Sequence, residues 1–178
     1  MVKKTFDELN DYNNAVAYFT QRNPKNEDTK LGYAISRFAK KFPKLMKSYS
    51  KLLQKFEIMR SDERIRLAST KLVDGVKIIN YQILKDARGN ETREFQFEPE
   101  KLIALNKKIN EINEQAEIEI EEIMKTTVEF EPYYATELPE GLTALEKRVF
   151  VDIVIDPKML EEYEKNAQKG ATGTNAYN

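Results

Sequence analysis

The sequence predicts an α+β chain: an N-terminal helical arm with a long basic amphipathic helix, followed by a small antiparallel sheet with an inserted helix. Three observations predict it. Apolar residues keep a helical period from Leu31 to Met59. After Gly75 the period falls to two on both sides of a glycine-containing turn. Pro99 then reopens a helical period. The expected units are a helical arm over 1–74, an α/β body over 75–167, and a polar tail over 168–178 that is mobile unless a partner orders it.

The elements follow in chain order. Thr5-Phe6-Asp7-Glu8 reads as a capping box, and Phe6, Leu9, Val16 and Phe19 continue as a helix to about Gln21, ended by Asn23-Pro24. Asp28 or Thr29 caps the next helix. Its seam is Leu31, Ile35, Phe38, Phe42, Leu45, Tyr49, Leu52, Phe56 and Met59, spaced alternately by four and three as in a coiled coil. Pro43 lies off the seam, so the expectation is one bent helix. The alternative is two helices in register, the second with Pro43 in its first turn. Ser61-Asp62-Glu63 reads as the cap of a further short helix to about Leu72. Ile79, Tyr81 and Ile83, with Phe95 and Phe97, form a hairpin around Asp86–Asn90.

Leu102, Leu105, Ile109 and Ile112 line the helix that Pro99 opens. Residues 116–123 fit a strand or a continued helix, and the strand is preferred. A second strand over Thr126–Glu131 ends at Pro132, and Tyr133–Leu142 is a loop. A short helix at Thr143–Lys147 leads into Val149–Asp156, the best strand candidate of the chain. Pro157 starts a last helix to about Gln168.

The chain has 178 residues, is 40% apolar and 33% charged, and contains neither cysteine nor histidine. Disulfides, thiolate nucleophiles, cysteine or histidine zinc sites and histidine acid–base catalysis are thereby excluded. No glycine-rich phosphate loop follows a strand, and Gly170–Thr174 lies in the tail. Ser48 and Ser50 sit among lysines that read as a solvated face. The expectation is therefore no enzyme, no catalytic residue, no cofactor and no metal. Glu117, Glu119 and Glu121 would line one face of a strand, and this ladder reads as a solvated edge rather than a cation site. The first ten residues lack a signal-peptide core, and no run approaches the ~18 apolar residues of a membrane span.

Charge is split along the sequence. Residues 1–85 carry 18 basic and 9 acidic side chains, and 86–178 carry 11 and 21, for a net charge of −1. Arg37, Lys44 and Lys51 fall on one outward line of the basic helix, Lys40 and Lys47 on a second, and Lys41 and Lys55 border the seam. A membrane surface, a nucleic acid and an acidic protein surface compete as its partner. The acidic surface accounts best for the split, since glutamates concentrate after residue 97. Its expected elements are Glu117, Glu119 and Glu121, with Tyr133 and Tyr134 as aromatic anchors on a loop.

The stretch "ILKDARGNETREFQFEPEKLIALNKKINEINEQAEIEI" combines a hairpin ending in Phe-x-Phe, a Pro-Glu helix start, a Leu-Asn-Lys-Lys helix and a Glu/Ile run. With the later "LPEGLTALEKRVF" it resembles small structural and assembly proteins of tailed bacteriophages, over about residues 83–150. The resemblance implies a virion structural or assembly protein made in the host cytoplasm. It would act through contacts with other virion proteins and copies of itself, in a multi-copy ring at the head–tail connector, or as an assembly chaperone. It carries over no active site. The competing reading is a nucleic-acid-binding accessory protein using the basic helix 29–60.

Overall fold

A computed structural model describes residues 1–25 and 29–172. The class is α+β, with helices first, then strands, then further helices. The chain forms two compact units. A host unit comprises 1–48 and 123–178, and an inserted unit comprises 49–122. These units cut the chain elsewhere than the change of period near residue 75. Periodicity marks the kind of element, whereas compactness follows which distant segments pair.

In the host unit, β1 (Val2–Thr5) pairs antiparallel with β6 (Thr127–Phe130), Val2 opposite Phe130 and Thr5 opposite Thr127. The capping box at Thr5 turns the chain into α1 (Phe6–Arg22). Thr5 Oγ1 accepts from the Glu8 amide at 3.1 Å, and Glu8 Oε2 accepts from the Thr5 amide at 2.8 Å. Thr29 caps α2 (Lys30–Ala39) by accepting from the Gly32 amide at 2.9 Å; Asp28 lies outside the described residues.

The expected long basic helix is broken. After α2 the chain forms the one-turn α3 (Phe42–Leu45) with Pro43 in its first turn, and then α4 (Lys47–Leu67). A proline is tolerated where a helix begins and its missing N–H costs nothing, so Pro43 starts a new segment instead of bending an old one. The seam residues are thus divided among three helices. No separate helix starts at Ser61, because α4 runs through it to Leu67.

The host core is aromatic. Phe6, Leu9, Tyr12, Ala15 and Phe19 of α1 and Leu31, Ala34, Ile35 and Phe38 of α2 are all buried. The Tyr12 ring stands edge-on to Phe38 at 5.1 Å and to Phe150 at 5.7 Å. Thr143 and Glu146 form a second capping box at the start of α6 (Ala144–Phe150). Glu146 is fully buried and accepts two bonds from Arg22 Nη2, at 2.6 and 2.7 Å.

Val149–Asp156 is not a strand. Its first two residues end α6, and residues 151–155 form a tight turn closed by a bridge between Val151 and Ile155. The amides of Ile153, Val154 and Ile155 converge on the Phe150 carbonyl at 3.0–3.2 Å. Ile153, Val154 and Ile155 are all buried, and a wholly buried apolar run does not reveal its backbone from periodicity. The last helix, α7 (Pro157–Thr172), runs past Gln168 into the expected tail. Residues 173–178 of that tail lie outside the described residues.

The inserted unit begins and ends in helices. Lys55 of α4 meets Glu119 of α5 (Pro99–Met124), Phe56 packs on Ala116 and Ile112, and Arg60 meets Asn113. Rising numbers on one helix meet falling numbers on the other, so the pair is antiparallel. Residues 116–123 are therefore helical, contrary to the preferred strand. Phe56 draws Ile112, Ala116 and Ile120 to one side at helical spacing, while Ile118, which a strand would align with Ala116 and Ile120, is 61% exposed.

Two ribbons connect these helices in place of the expected single sheet. β2 (Thr70–Val73) pairs with β3 (Val76–Ile79), and β4 (Tyr81–Lys85) pairs with β5 (Glu91–Phe95). The hairpin around Asp86–Asn90 is the one expected. The first ribbon replaces the expected end of a helix at Leu72. It turns on Asp74-Gly75, both at positive φ (51° and 78°), the geometry of a two-residue hairpin turn. The ribbons share a root of three backbone bonds in a closed cycle. The Ser69 amide donates to Gln96, Gln96 to Asn80, and Asn80 to Ser69, at 2.7, 3.1 and 2.7 Å.

Candidate functional site

The host unit carries an aromatic, cationic cleft. Lys30, Tyr33 and Arg37 lie on one line of α2, at i, i+3 and i+7. The loop after β6 supplies Pro132, Tyr133, Tyr134 and Thr136, and these residues with Lys30 and Tyr33 enclose about 280 Å³. The loop is pinned at three points. Phe130 and Ala135 are buried, the Ala135 amide donates to the Val154 carbonyl at 2.7 Å, and Lys41 Nζ donates to the Glu131 carbonyl at 2.8 Å.

The rings are ordered by one another. Tyr33 and Tyr133 meet edge-on at 5.8 Å, and the Arg37 guanidinium lies 5.1 Å from the centre of the Tyr133 ring. A hydrogen bond with Tyr33 holds the Tyr133 phenol above its ordinary pKa. Tyr134 is also raised, by burial first and then by the nearby carboxylates of Asp152 and Asp156. Among the described residues, no acidic side chain lines the cleft itself. What the arrangement offers is flat apolar ring surface, phenol hydroxyls and two cations.

Of the residues expected from sequence, Arg37, Lys41, Tyr133 and Tyr134 are brought together here. Lys40, Lys44 and Lys47 are exposed in the same unit, and Lys51 is exposed in the inserted unit. Lys55 is engaged on Glu119 at 2.7 Å, which with Gln115 holds the Glu119 carboxyl below its ordinary pKa. The expected common face of Glu117, Glu119 and Glu121 does not form. On a helix, Glu117 and Glu121 share one line, and Glu119 is turned toward α4. Lys30 and Tyr33 were not expected; their spacing ahead of Arg37 was the available signal.

The inserted unit presents a different surface. It has five buried apolar residues among those described, Phe56, Ala68, Leu105, Ile112 and Ala116, against sixteen in the host unit. Among the described residues, thirteen of the seventeen exposed large apolar side chains belong to it. Its ribbons contribute Leu72, Val73, Val76, Ile78, Tyr81, Ile83 and Phe95, and no residue of β2, β3, β4 or β5 is buried. On α5 the exposed Ile118 is bordered by Glu114, Glu121 and Glu122, with Glu117 alongside.

The charge split of the sequence does not survive folding as a split between units. The host unit holds 16 basic and 15 acidic residues, the inserted unit 13 and 15. What remains is local: the cations of the α2 face and the glutamates of α5. Among the described residues, no group of three or more acidic side chains is arranged to hold a metal ion, and no helix is long and apolar enough to cross a membrane. No protein-family model, curated protein or solved structure matches the chain.

Proposed function

We propose that this chain is a non-enzymatic structural or assembly protein of a tailed-bacteriophage particle, acting through protein–protein contacts in a multi-copy ring at the head–tail connector. The observation that carries this reading is the inserted unit. Two-stranded ribbons with no buried face are marginal in water, and seven large apolar side chains on them are exposed. Such a surface belongs against another protein. The partners are other virion or assembly proteins and further copies of the chain. A nucleic-acid role for 29–60 is less well supported, because Pro43 divides the basic segment and Arg37, Lys41 and Lys55 have partners within the chain.

The test is quantitative mass spectrometry of purified particles. Several copies per particle are expected. Absence from particles, together with no co-purifying assembly intermediate, refutes the reading.

A further inference from the structure

We infer that the outer edge of β5 pairs with the same edge of a second copy, Glu91 of each copy opposite Arg93 of the other. The inference rests on the proposed role through protein contacts and names the second copy as what covers one ribbon. β5 is an open edge. Every residue from Glu91 to Phe95 is exposed, and among the described residues no strand but β4 pairs with it. The backbone pattern fixes which groups face outward. The Asp86 amide donates to Asn90 and the Gln96 amide to Asn80, at 3.0 and 3.1 Å, and bonded pairs alternate along an antiparallel ribbon. The bonded pairs between them are thus Gln82 with Glu94 and Leu84 with Thr92. The amides and carbonyls of Glu91, Arg93 and Phe95 point away from β4.

Charge then selects the register. For two or more of these outward residues to pair, a two-fold axis normal to the sheet stands at Thr92, Arg93 or Glu94. At Arg93 it sets the two Arg93 side chains opposite each other, and at Glu94 the two Glu94 side chains, and like charges directly opposite destabilise. At Thr92, Glu91 meets Arg93 of the second copy at two equivalent places. Both are outward-facing pairs that exchange backbone bonds, and threonine faces threonine on the axis. Neither ion leaves its present contact. Glu91 has Lys85 at 3.0 Å on one side and gains Arg93 of the second copy on the other, so charges alternate across the strands. Arg93 stacks 4.9 Å from the centre of the Tyr81 ring, which leaves the edge of its guanidinium to donate. The pairing joins two marginal ribbons into one sheet of four strands. On the face of Glu91 and Arg93 that sheet gathers the exposed Tyr81, Ile83 and Phe95 of both copies. The contact is isologous, so it closes at two copies.

The experiment uses the full chain, whose lack of cysteine makes single-cysteine cross-linking specific. Light scattering after size exclusion is expected to find a dimer that dissociates on dilution. Thr92→Cys sets two thiols across a pair without backbone bonds, where Cα atoms are about 4.5 Å apart and within disulfide reach. It is expected to give a covalent dimer under mild oxidation. Glu94→Cys, two residues along the same face, is the control expected to stay uncrosslinked. Glu91→Arg and Arg93→Glu each set like charges opposite at both pairs and are expected to weaken association about tenfold. Mixed in equal amounts, the two variants restore both pairs and form a heterodimer. Circular dichroism of every variant checks its helix content. A parent chain that is monomeric throughout, equal cross-linking at the two cysteines, or a mixture of the charge variants that stays monomeric would each overturn the inference. Residence in particles is decided separately by mass spectrometry, so the two readings fail independently.

Discussion

Tyr12 carries the one buried side-chain polar atom without a hydrogen-bond partner among the described residues. Burial pushes its phenol pKa up, so the hydroxyl stays neutral and contributes a desolvation cost with no compensating bond. The ring is what the core uses, edge-on to Phe38 and Phe150. Tyr12→Phe keeps the ring and removes the cost. Stability is expected to hold or rise by about 1 kcal/mol, read as a shift of the urea midpoint at constant slope. The Arg22–Glu146 pair behaves differently at its two ends. Glu146 is buried, whereas the Arg22 side chain is 37% exposed. Arg22→Ala strands a buried carboxylate and is expected to cost about 3 kcal/mol. Glu146→Gln leaves an arginine that turns to water, and its cost is expected to be the smaller of the two in the same unfolding assay.

At the scale of elements, the Asp86–Asn90 turn is held by one carboxylate. Asp86 accepts from the Asn90 side chain and backbone and from the Arg88 amide, at 2.8–2.9 Å, and its pKa is lowered by these bonds, Asn90 first. A depressed folded pKa means that the turn's stabilisation is present above the unfolded aspartate value and is lost as pH falls through the folded value. Protection of the β4 and β5 amides, corrected for the intrinsic exchange rate, is therefore expected to fall in that acid window, and Asp86→Asn should remove this pH dependence of protection. If protection were flat across the window, the carboxylate would not be the clasp.

The same scale shows why some elements were legible and others were not. Thr5 and Thr143 announce their helices through a hydroxyl and a carboxylate three residues apart, a local signal. The Asp86–Asn90 hairpin was legible for the same reason. Residues 116–123 were not, because alternation and helical spacing coincide there, and Phe56, sixty residues away in sequence, decides between them. Val149–Asp156 was misread because burial on all sides erases periodicity. The cleft was half legible. Arg37, Lys41, Tyr133 and Tyr134 stand out as types, but their meeting depends on a loop pinned by the Ala135–Val154 bond.

For the whole molecule, the unequal cores imply unequal stabilities. Among the described residues, the host unit buries sixteen apolar side chains and the inserted unit five. Calorimetry is expected to resolve two transitions, the lower belonging to the inserted unit. Phe56→Ala removes the centre of that small core and should cost about 3 kcal/mol, lowering the first transition and leaving the second in place. Because association stabilises whatever it binds, raising protein concentration should move the lower transition upward. A single transition that Phe56→Ala shifts as a whole would contradict this division.

The pairing of β1 with β6 also sets a clock. Val2 waits for Phe130, and at ribosomal rates of roughly 5–20 residues per second the delay is about 6–25 seconds. The inserted unit, ending at Glu122, is synthesised within that interval, ribbons and glutamate face included. Pro132, Tyr133, Tyr134 and Thr136, which complete the cleft, emerge only afterwards. The first strand therefore stays without its partner while the whole inserted unit is made, and the host unit closes only after that unit has left the ribosome.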